Sequence, residues 1–242
     1  MCLSKKLYSI ILAGGRGKRM GMNVAKCAIK LGDRTIIERV IENVSNSGVE
    51  GIVCVLGYKG EEVEPLIRDK VKIYYQENQL GTADAVKACK KEFESEDCDI
   101  LIVAGDMPFV KSETFKSAYY KYLKEKADLL VCTCEKEHPF GYGRIIRNNG
   151  KIAGIREEKD CSAKEKEIKE VNSSIYIVNN KKLFNNIEKI KNNNAQKEYY
   201  LTDIVSLFKE EGLKITGFNF KNEVELSGIN DPDDLKNALE KI

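Results

Sequence analysis

The sequence predicts an α/β fold: a mostly parallel β-sheet covered by helices on both faces, with a small β-hairpin lobe in the second half. Three observations predict it. Short apolar runs of strand length alternate with amphipathic stretches of helix length through the first half of the chain, the β-α-β-α rhythm of a sheet whose crossovers are helical. The run Ile100–Ala104 is apolar at every position, as a strand buried on both sheet faces must be. The turn Asn148-Asn149-Gly150 separates two further runs, and Asn-Gly tolerates the positive φ values of a tight reversal.

Taken in order, strands are expected at Tyr8–Leu12, Ile52–Leu56, Lys72–Tyr75, Ile100–Ala104 and Leu129–Thr133. Helices are expected at Thr35–Val44, Glu61–Ile67, Ala83–Phe93 and Glu113–Lys124. The hairpin follows as Arg144–Arg147 and Lys151–Arg156. Then come a strand at Ser174–Val178, helices at Lys181–Ile190 and Thr202–Lys209, a strand at Lys214–Phe218 and a last helix from Pro232. That helix has a legible start: Asp231 can cap it, Pro232 suits its first position, and Asp233 and Asp234 favour the positive end of its dipole. The charged stretch Glu157–Glu170 reads as a solvated, mobile loop, and Asn192-Asn193-Asn194 as an ordinary one.

A chain of 242 residues, 42% hydrophobic, is long enough to bury one full-sized core, so residues 1–242 are read as a single domain. Its 40 basic and 38 acidic side chains nearly cancel, which leaves no single-sign field to hold nucleic acid or an anionic membrane. Small-molecule partners are the expectation. No apolar run approaches the ~20 residues a membrane span needs, and the apolar Leu7–Ala13 runs straight into Gly14-Gly15-Arg16 rather than a cleavage site. A cytoplasmic protein is expected. The 8 cysteines are scattered without C-x-x-C spacing, and Cys132-x-Cys134 alternates as a strand would, so they read as small core or surface residues rather than ligands. His138, next to Pro139, reads as a loop residue.

The first chemical signal stands where the first strand ends. Leu12-Ala13-Gly14-Gly15-Arg16-Gly17-Lys18-Arg19-Met20 is an apolar strand turning into a glycine-rich, basic loop. Its glycines allow a tight turn that points successive N–H groups at an anion, and its basic side chains can add charge-assisted bonds to phosphate oxygens. It lacks both the G-x-G-x-x-G spacing and a following Gly-Lys-Ser/Thr, which disfavours a dinucleotide fold or a P-loop. A glycine-rich turn with solvated basic residues is the alternative reading. Further on, Asp106 lies just past Ile100–Ala104, at the carboxyl edge where ligands bind in open α/β sheets. A lone carboxylate there can hold Mg²⁺ while leaving room for phosphates and water.

The glycine-rich loop resembles the L-x-x-G-x-G-x-R-M signature of sugar-nucleotide pyrophosphorylases. The resemblance is strongest to the uridyltransferase half of the bacterial bifunctional N-acetylglucosamine-1-phosphate uridyltransferase/glucosamine-1-phosphate acetyltransferases. It continues in order through Gln76-x-x-Gln79-Leu80-Gly81-Thr82-Ala83, Gly105-Asp106-Met107-Pro108, Gly141-Tyr142-Gly143-Arg144 and Gly154-Ile155-Arg156-Glu157-Glu158-Lys159-Asp160. It then takes in Val171-Asn172, Asn192–Ile204 with its Glu198-Tyr199-Tyr200-Leu201-Thr202-Asp203, and Gly228-Ile229-Asn230.

The resemblance implies the nucleotide-diphospho-sugar transferase fold, with a Rossmann-like sheet, and the joining of UTP to N-acetylglucosamine 1-phosphate with release of pyrophosphate. It implies that Leu12, Ala13, Gly14, Gly15, Arg16, Gly17, Gln76, Gly81 and Thr82 bind the nucleotide, with Gln76, Gly81 and Thr82 at the base. Gly105, Gly143, Glu157, Asn172, Tyr200 and Thr202 would bind the sugar. Arg19, Lys26 and Asp106 would be catalytic, and Asp106 and Asn230 would hold Mg²⁺. Residues 1–110 would be mainly the nucleotide-binding half and 111–242 mainly the sugar-binding half. The sequence departs from the family at Val24-Ala25 before Lys26, where Leu-Pro is usual, at Asp84, where His is common, and at Ser173-Ser174, where Thr-Gly is commoner. The hexapeptide repeats of the bifunctional relatives are absent from these 242 residues, so a free-standing uridyltransferase domain is expected, without acetyltransferase activity and as a monomer or weak homo-oligomer. Another pyrimidine nucleotide, another sugar phosphate, or a non-catalytic nucleotide-sugar binder are the alternatives. A glycosyltransferase of this fold is disfavoured because Gly105-Asp106-Met107-Pro108 offers one carboxylate where Asp-x-Asp is usual.

Overall fold

The computed structural model describes residues 5–21, 23–220, 222–226 and 228–240, without the side chains of Lys18 and Glu223. The first half runs β1 (Leu7–Ala13), the small hairpin β2 (Lys30–Leu31) and β3 (Arg34–Thr35), α1 (Ile36–Ser45), β4 (Gly51–Leu56), α2 (Gly60–Ile67), β5 (Lys72–Tyr75), α3 (Thr82–Ala88), β6 (Asp99–Ala104) and α4 (Ser112–Glu125). The second half runs β7 (Leu129–Glu135), β8 (Arg144–Asn148), β9 (Lys151–Arg156), α5 (Ala163–Lys166), β10 (Glu170–Asn179), α6 (Asn180–Ile187), α7 (Ile204–Glu210), β11 (Ile215–Asn219) and α8 (Pro232–Leu239).

Among the described residues, seven strands line up as β11-β7-β10-β6-β1-β4-β5, with the β8–β9 hairpin joined to β10. β1 pairs in parallel with β4 and β6, β4 with β5, and β7 with β11, while β10 runs antiparallel between β6 and β7. Alternate side chains divide the core. Leu7, Ile11 and Ala13 of β1 face Ile37, Val63 and Phe115 of α1, α2 and α4. Ile10 faces the other way, toward Val86, Leu183 and Ile204 of α3, α6 and α7. Helices therefore cover both faces, as the strand period requires.

Local chemistry sets the element ends. Thr35 and Glu38 form a reciprocal capping box on α1, whose buried Ile36, Ile37, Val40, Ile41 and Val44 follow the helical period. Asp231 caps α8 by accepting from Asp234 N at 2.9 Å. Asn149 and Gly150 both take positive φ, 49° and 76°, the turn the Asn-Gly pair requires.

Two expectations are corrected. The helix expected over Ala83–Phe93 stops at Ala88, and the chain continues as a 3₁₀ turn over Lys90–Phe93. The tighter winding carries Phe93 between the rings of Tyr8 and Phe184, each 6.0 Å away. The stretch Glu157–Glu170 is not a featureless solvated loop: a 3₁₀ turn over Glu158–Asp160 leads into α5, which Ser162 and Glu165 cap reciprocally, and Glu158 pairs with a buried arginine.

Candidate active site

The carboxyl ends of β1 and β6 and the beginning of β10, which runs the opposite way, meet at one edge of the sheet. A cleft of about 460 Å³ opens there, and Arg19, Asp106, Gly143, Glu157, Asn172 and Asn230 are among its lining residues.

On the β1 side, the chain leaves Ala13 through Gly14 and Gly15 and turns at Gly17 in the left-handed region, φ 55°. A 3₁₀ turn over Lys18–Met20 then buries Met20 and leaves Arg19 exposed. The side chain of Lys18, a further basic group of this loop in the sequence reading, lies outside the described residues. Arg16 reaches Gln79 Oε1 at 3.4 Å. Gln76, at the end of β5, is 93% buried, with 7% exposure. It donates through Nε2 to Gly81 O at 2.9 Å and Asp84 Oδ2 at 2.8 Å. Gly81 holds φ 126°, and a Cβ there would stand 2.5 Å from Tyr199 O, so no other residue suits this crossing of the two halves. The Thr82 hydroxyl is already engaged, accepting from Leu201 N at 2.9 Å.

At the end of β6, Gly105 N donates to Leu12 O at 2.8 Å and extends the ladder by one residue. Asp106 O accepts from Ile229 N at 3.0 Å, which ties the loop before α8 to this strand end. Asn230 N donates to Asp234 Oδ2 at 2.8 Å. Because Asp231 does the capping, the Asn230 side chain is released toward the cleft. Lys26 Nζ forms an ion pair with Asp106 and donates to Asn230 Oδ1 at 3.1 Å. Burial pushes the Lys26 ammonium down, but Asp106 outweighs it, and the net shift is upward. Two oxygens brought from residues far apart in sequence thus converge on one cation.

On the far side, β10 carries a bulge between Asn172 and Tyr176, and bulges re-aim side chains. Asn172 N donates to Gly143 O at 2.8 Å, its Nδ2 donates to the Tyr176 hydroxyl at 2.6 Å, and its Oδ1 accepts from Ser174 N at 3.2 Å. Glu157 accepts from the Thr202 hydroxyl at 3.1 Å. Burial raises its carboxyl above the ordinary glutamate range, and the nearby Asp203 and Asp160 add to the rise. Tyr200 is buried beside this pair.

The structure therefore brings Arg19, Asp106, Gly143, Glu157, Asn172 and Asn230 into one cleft, with Lys26 against Asp106 and Thr202 against Glu157. Leu12 to Gly17, Gln76, Gly81, Thr82 and Gly105 are not among the residues that line this cleft; Gly14 lies against Gly57 and Gln76, and Gly105 against Leu12 and Ala13. Sequence reasoning missed Tyr176, which orients Asn172, and the strut beneath the Gly141–Gly143 turn. There Arg144, 1% exposed, donates to Glu158 Oε2 at 2.7 Å and to Tyr142 O, and Glu158 also accepts from Gly141 N at 3.1 Å. The Gly-Tyr-Gly-Arg run contained Arg144, but nothing in its spacing pointed to Glu158. His138 is an exposed loop residue. Cys27, Cys54, Cys89, Cys98, Cys132 and Cys134 are buried, Cys161 is half-buried, and Cys2 lies outside the described residues. No helix among the described residues is long and apolar enough to cross a membrane.

The fold superposes on that of a UDP-glucose pyrophosphorylase complexed with UDP-glucose with a TM-score of 0.78, at 15% identity over 98% of each chain. Within that architecture the sequence belongs to the family of MobA-like NTP transferase domains, which it matches over residues 9–196. It is 42% identical over 227 residues to the bifunctional protein GlmU of Acholeplasma laidlawii, covering 93% of this chain and 49% of that protein. It is 40% identical over 226 residues to that of Carboxydothermus hydrogenoformans, covering 93% and 50%. The chain spans about half the length of these curated relatives.

Proposed function

We propose that the chain joins UTP to N-acetylglucosamine 1-phosphate, giving UDP-N-acetylglucosamine and pyrophosphate. The observation that carries this reading is the convergence of Asp106 and Asn230 on a single cation between the basic glycine-rich loop and the Glu157–Thr202–Asn172 cluster. The 42% identity to a GlmU protein supports the choice of substrates. Residues 1–110 would serve mainly the nucleotide and 111–242 mainly the sugar phosphate.

The residues present fit Mg²⁺. The Lys26 ammonium stands in for a cation between one carboxylate and one amide oxygen, the hard donors Mg²⁺ takes. Asp106 and Asn230 would hold the ion, with its other positions left to phosphate and water. When bound, Mg²⁺ would neutralise phosphate charge and polarise the α-phosphoryl group.

The protein's own part is positioning and charge. An oxygen of the sugar phosphate attacks the α-phosphorus in line, the new O–P bond forming as the bond to the bridging oxygen breaks and pyrophosphate departs with that electron pair. The nucleophile is already an anion, so no general base is needed. Arg19 and Lys26 would stabilise the departing charge. Glu157, Asn172 and the backbone at Gly143 offer acceptors and a donor to the sugar hydroxyl and acetamido groups. Buried thiols such as Cys54 and Cys132 suit a reducing compartment, which supports the cytoplasm as the site of action. Pyrophosphate release with UTP and N-acetylglucosamine 1-phosphate, with and without Mg²⁺, tests the reading. Turnover with that pair that depends on the metal is expected; none with that pair, against turnover with another triphosphate or sugar phosphate, overturns it.

A further inference from the structure

The two partners of Gln76 Nε2, the Gly81 carbonyl and the Asp84 carboxylate, are both acceptors. The end of the side chain that faces them must therefore be the NH₂ group, and both its hydrogens are used. What Gln76 presents on its other side is Oε1. That oxygen accepts no hydrogen bond from the described residues and lies 3.4 Å from where a Cβ on Gly14 would stand, beside the glycine-rich loop.

We propose that Asp84 is a positioning residue that sets base specificity, locking the Gln76 amide so that it offers only an acceptor to the bound base. The inference rests on the nucleotide reading above and deepens it. Uracil and thymine carry a hydrogen on N3, whereas cytosine carries a lone pair there. The same oxygen attracts the first two and repels the third. Gly81 O alone would engage one amide hydrogen, and the terminal torsion of glutamine is soft, so the amide could turn over for cytosine at the loss of one bond. The carboxylate adds a second, charge-assisted bond that opposes the flip. Asp84 lies in the first turn of α3, directly after Gly81, so one helix start carries both acceptors.

The test is the ratio of kcat/KM for UTP to that for CTP, with N-acetylglucosamine 1-phosphate as acceptor, in the wild-type chain, Asp84→Ala and Asp84→Asn, with thermal melts alongside. The wild type should favour UTP by at least about 100-fold. Asp84→Ala should lower the ratio about tenfold, through a lower KM for CTP and a higher KM for UTP, leaving the KM for the sugar phosphate within about twofold. Asp84→Asn keeps an acceptor oxygen and should restore most of the ratio. An unchanged ratio in Asp84→Ala, or an equal fall in Asp84→Asn, overturns this inference and leaves the nucleotide reading standing. A wild-type chain that uses UTP and CTP equally overturns both.

Discussion

Glu158→Ala should unsettle, from beneath, the side of the cleft proposed to hold the sugar. Glu158 Oε2 lies 2.7 Å from Arg144 Nη2, the two side chains being 17% and 2% exposed. Removing the carboxylate strands a guanidinium out of water, which costs about 3 kcal/mol at the lower end of the range for broken buried pairs. The Gly141 N–H also loses its acceptor, adding about 1 kcal/mol. In a domain of this size the sum lowers Tm by roughly 8–16 °C. Burial alone would raise the Glu158 carboxyl, but Arg144 and the Gly141 N–H hold it below the ordinary value of 4.5. The ion pair's contribution is therefore full above that value and lost as pH falls through the lowered one, so the gap between wild type and variant should narrow in acid. The assay is calorimetric melting from neutral to acid pH, with the KM for the sugar phosphate measured beside the KM for the nucleotide. The first KM should rise more, because Arg144 and Glu158 hold the Gly141–Gly143 turn. An apolar double replacement, Arg144→Met with Glu158→Leu, should recover much of the lost stability. A Glu158→Ala melt within about 2 °C of wild type at neutral pH would refute the argument, since a buried pair cannot be broken so cheaply.

Three further outcomes are expected. Asp106→Ala should cut turnover by about 10³-fold or more while the far-ultraviolet circular dichroism stays native; near-normal pyrophosphate release would refute the metal assignment. Ser174 holds φ 58° at the β10 bulge, so Ser174→Gly should stabilise the fold by about 0.5–1 kcal/mol in denaturant titrations; glycine keeps the backbone N–H that donates to Asn172 Oδ1, so a lower midpoint would refute the strain. Glu157 is held above the ordinary value of 4.5, first by burial and then by its acidic neighbours. Its contribution to stability is thus full below that value and lost as pH rises through the raised one. Glu157→Gln should melt higher than wild type at neutral pH, the difference closing toward pH 4, while the KM for the sugar phosphate rises; a lower neutral-pH melt would contradict the shift.

The strands and helices with strong periodicity were legible in the sequence because each buries an unbroken apolar set, as β6 and α1 do. The hairpin was legible because Asn149 and Gly150 leave few other backbone choices. The direction of β10 was not, since an apolar run such as Ile175–Val178 suits either sense and only its pairing with both β6 and β7 decides it. At the site, the glycine-rich loop and the carboxylate after β6 could be read from local pattern. The meeting of Asp106 with Asn230 could not be read from local pattern, because it joins residues more than a hundred positions apart, and only the family resemblance paired them. The Arg144–Glu158 and Asp84–Gln76 contacts also escaped notice, because a charged residue in a polar stretch looks solvated until its partner is located. Ser174 is a departure that the structure explains: the bulge needs a left-handed residue where relatives favour glycine, and the Asn172 side chain steadies the serine there.

The reversed central strand has a mechanical consequence. β10 is zipped to the strand that delivers Asp106 on one edge and to β7 on the other, while Asn172 projects from its own bulge. Asp106 and Asn172 are thus held by one continuous plate, and bringing these two closer would tear backbone hydrogen bonds. The basic loop after β1 and the turn that carries the exposed Phe140 stand outside that plate, free of its ladder of backbone hydrogen bonds.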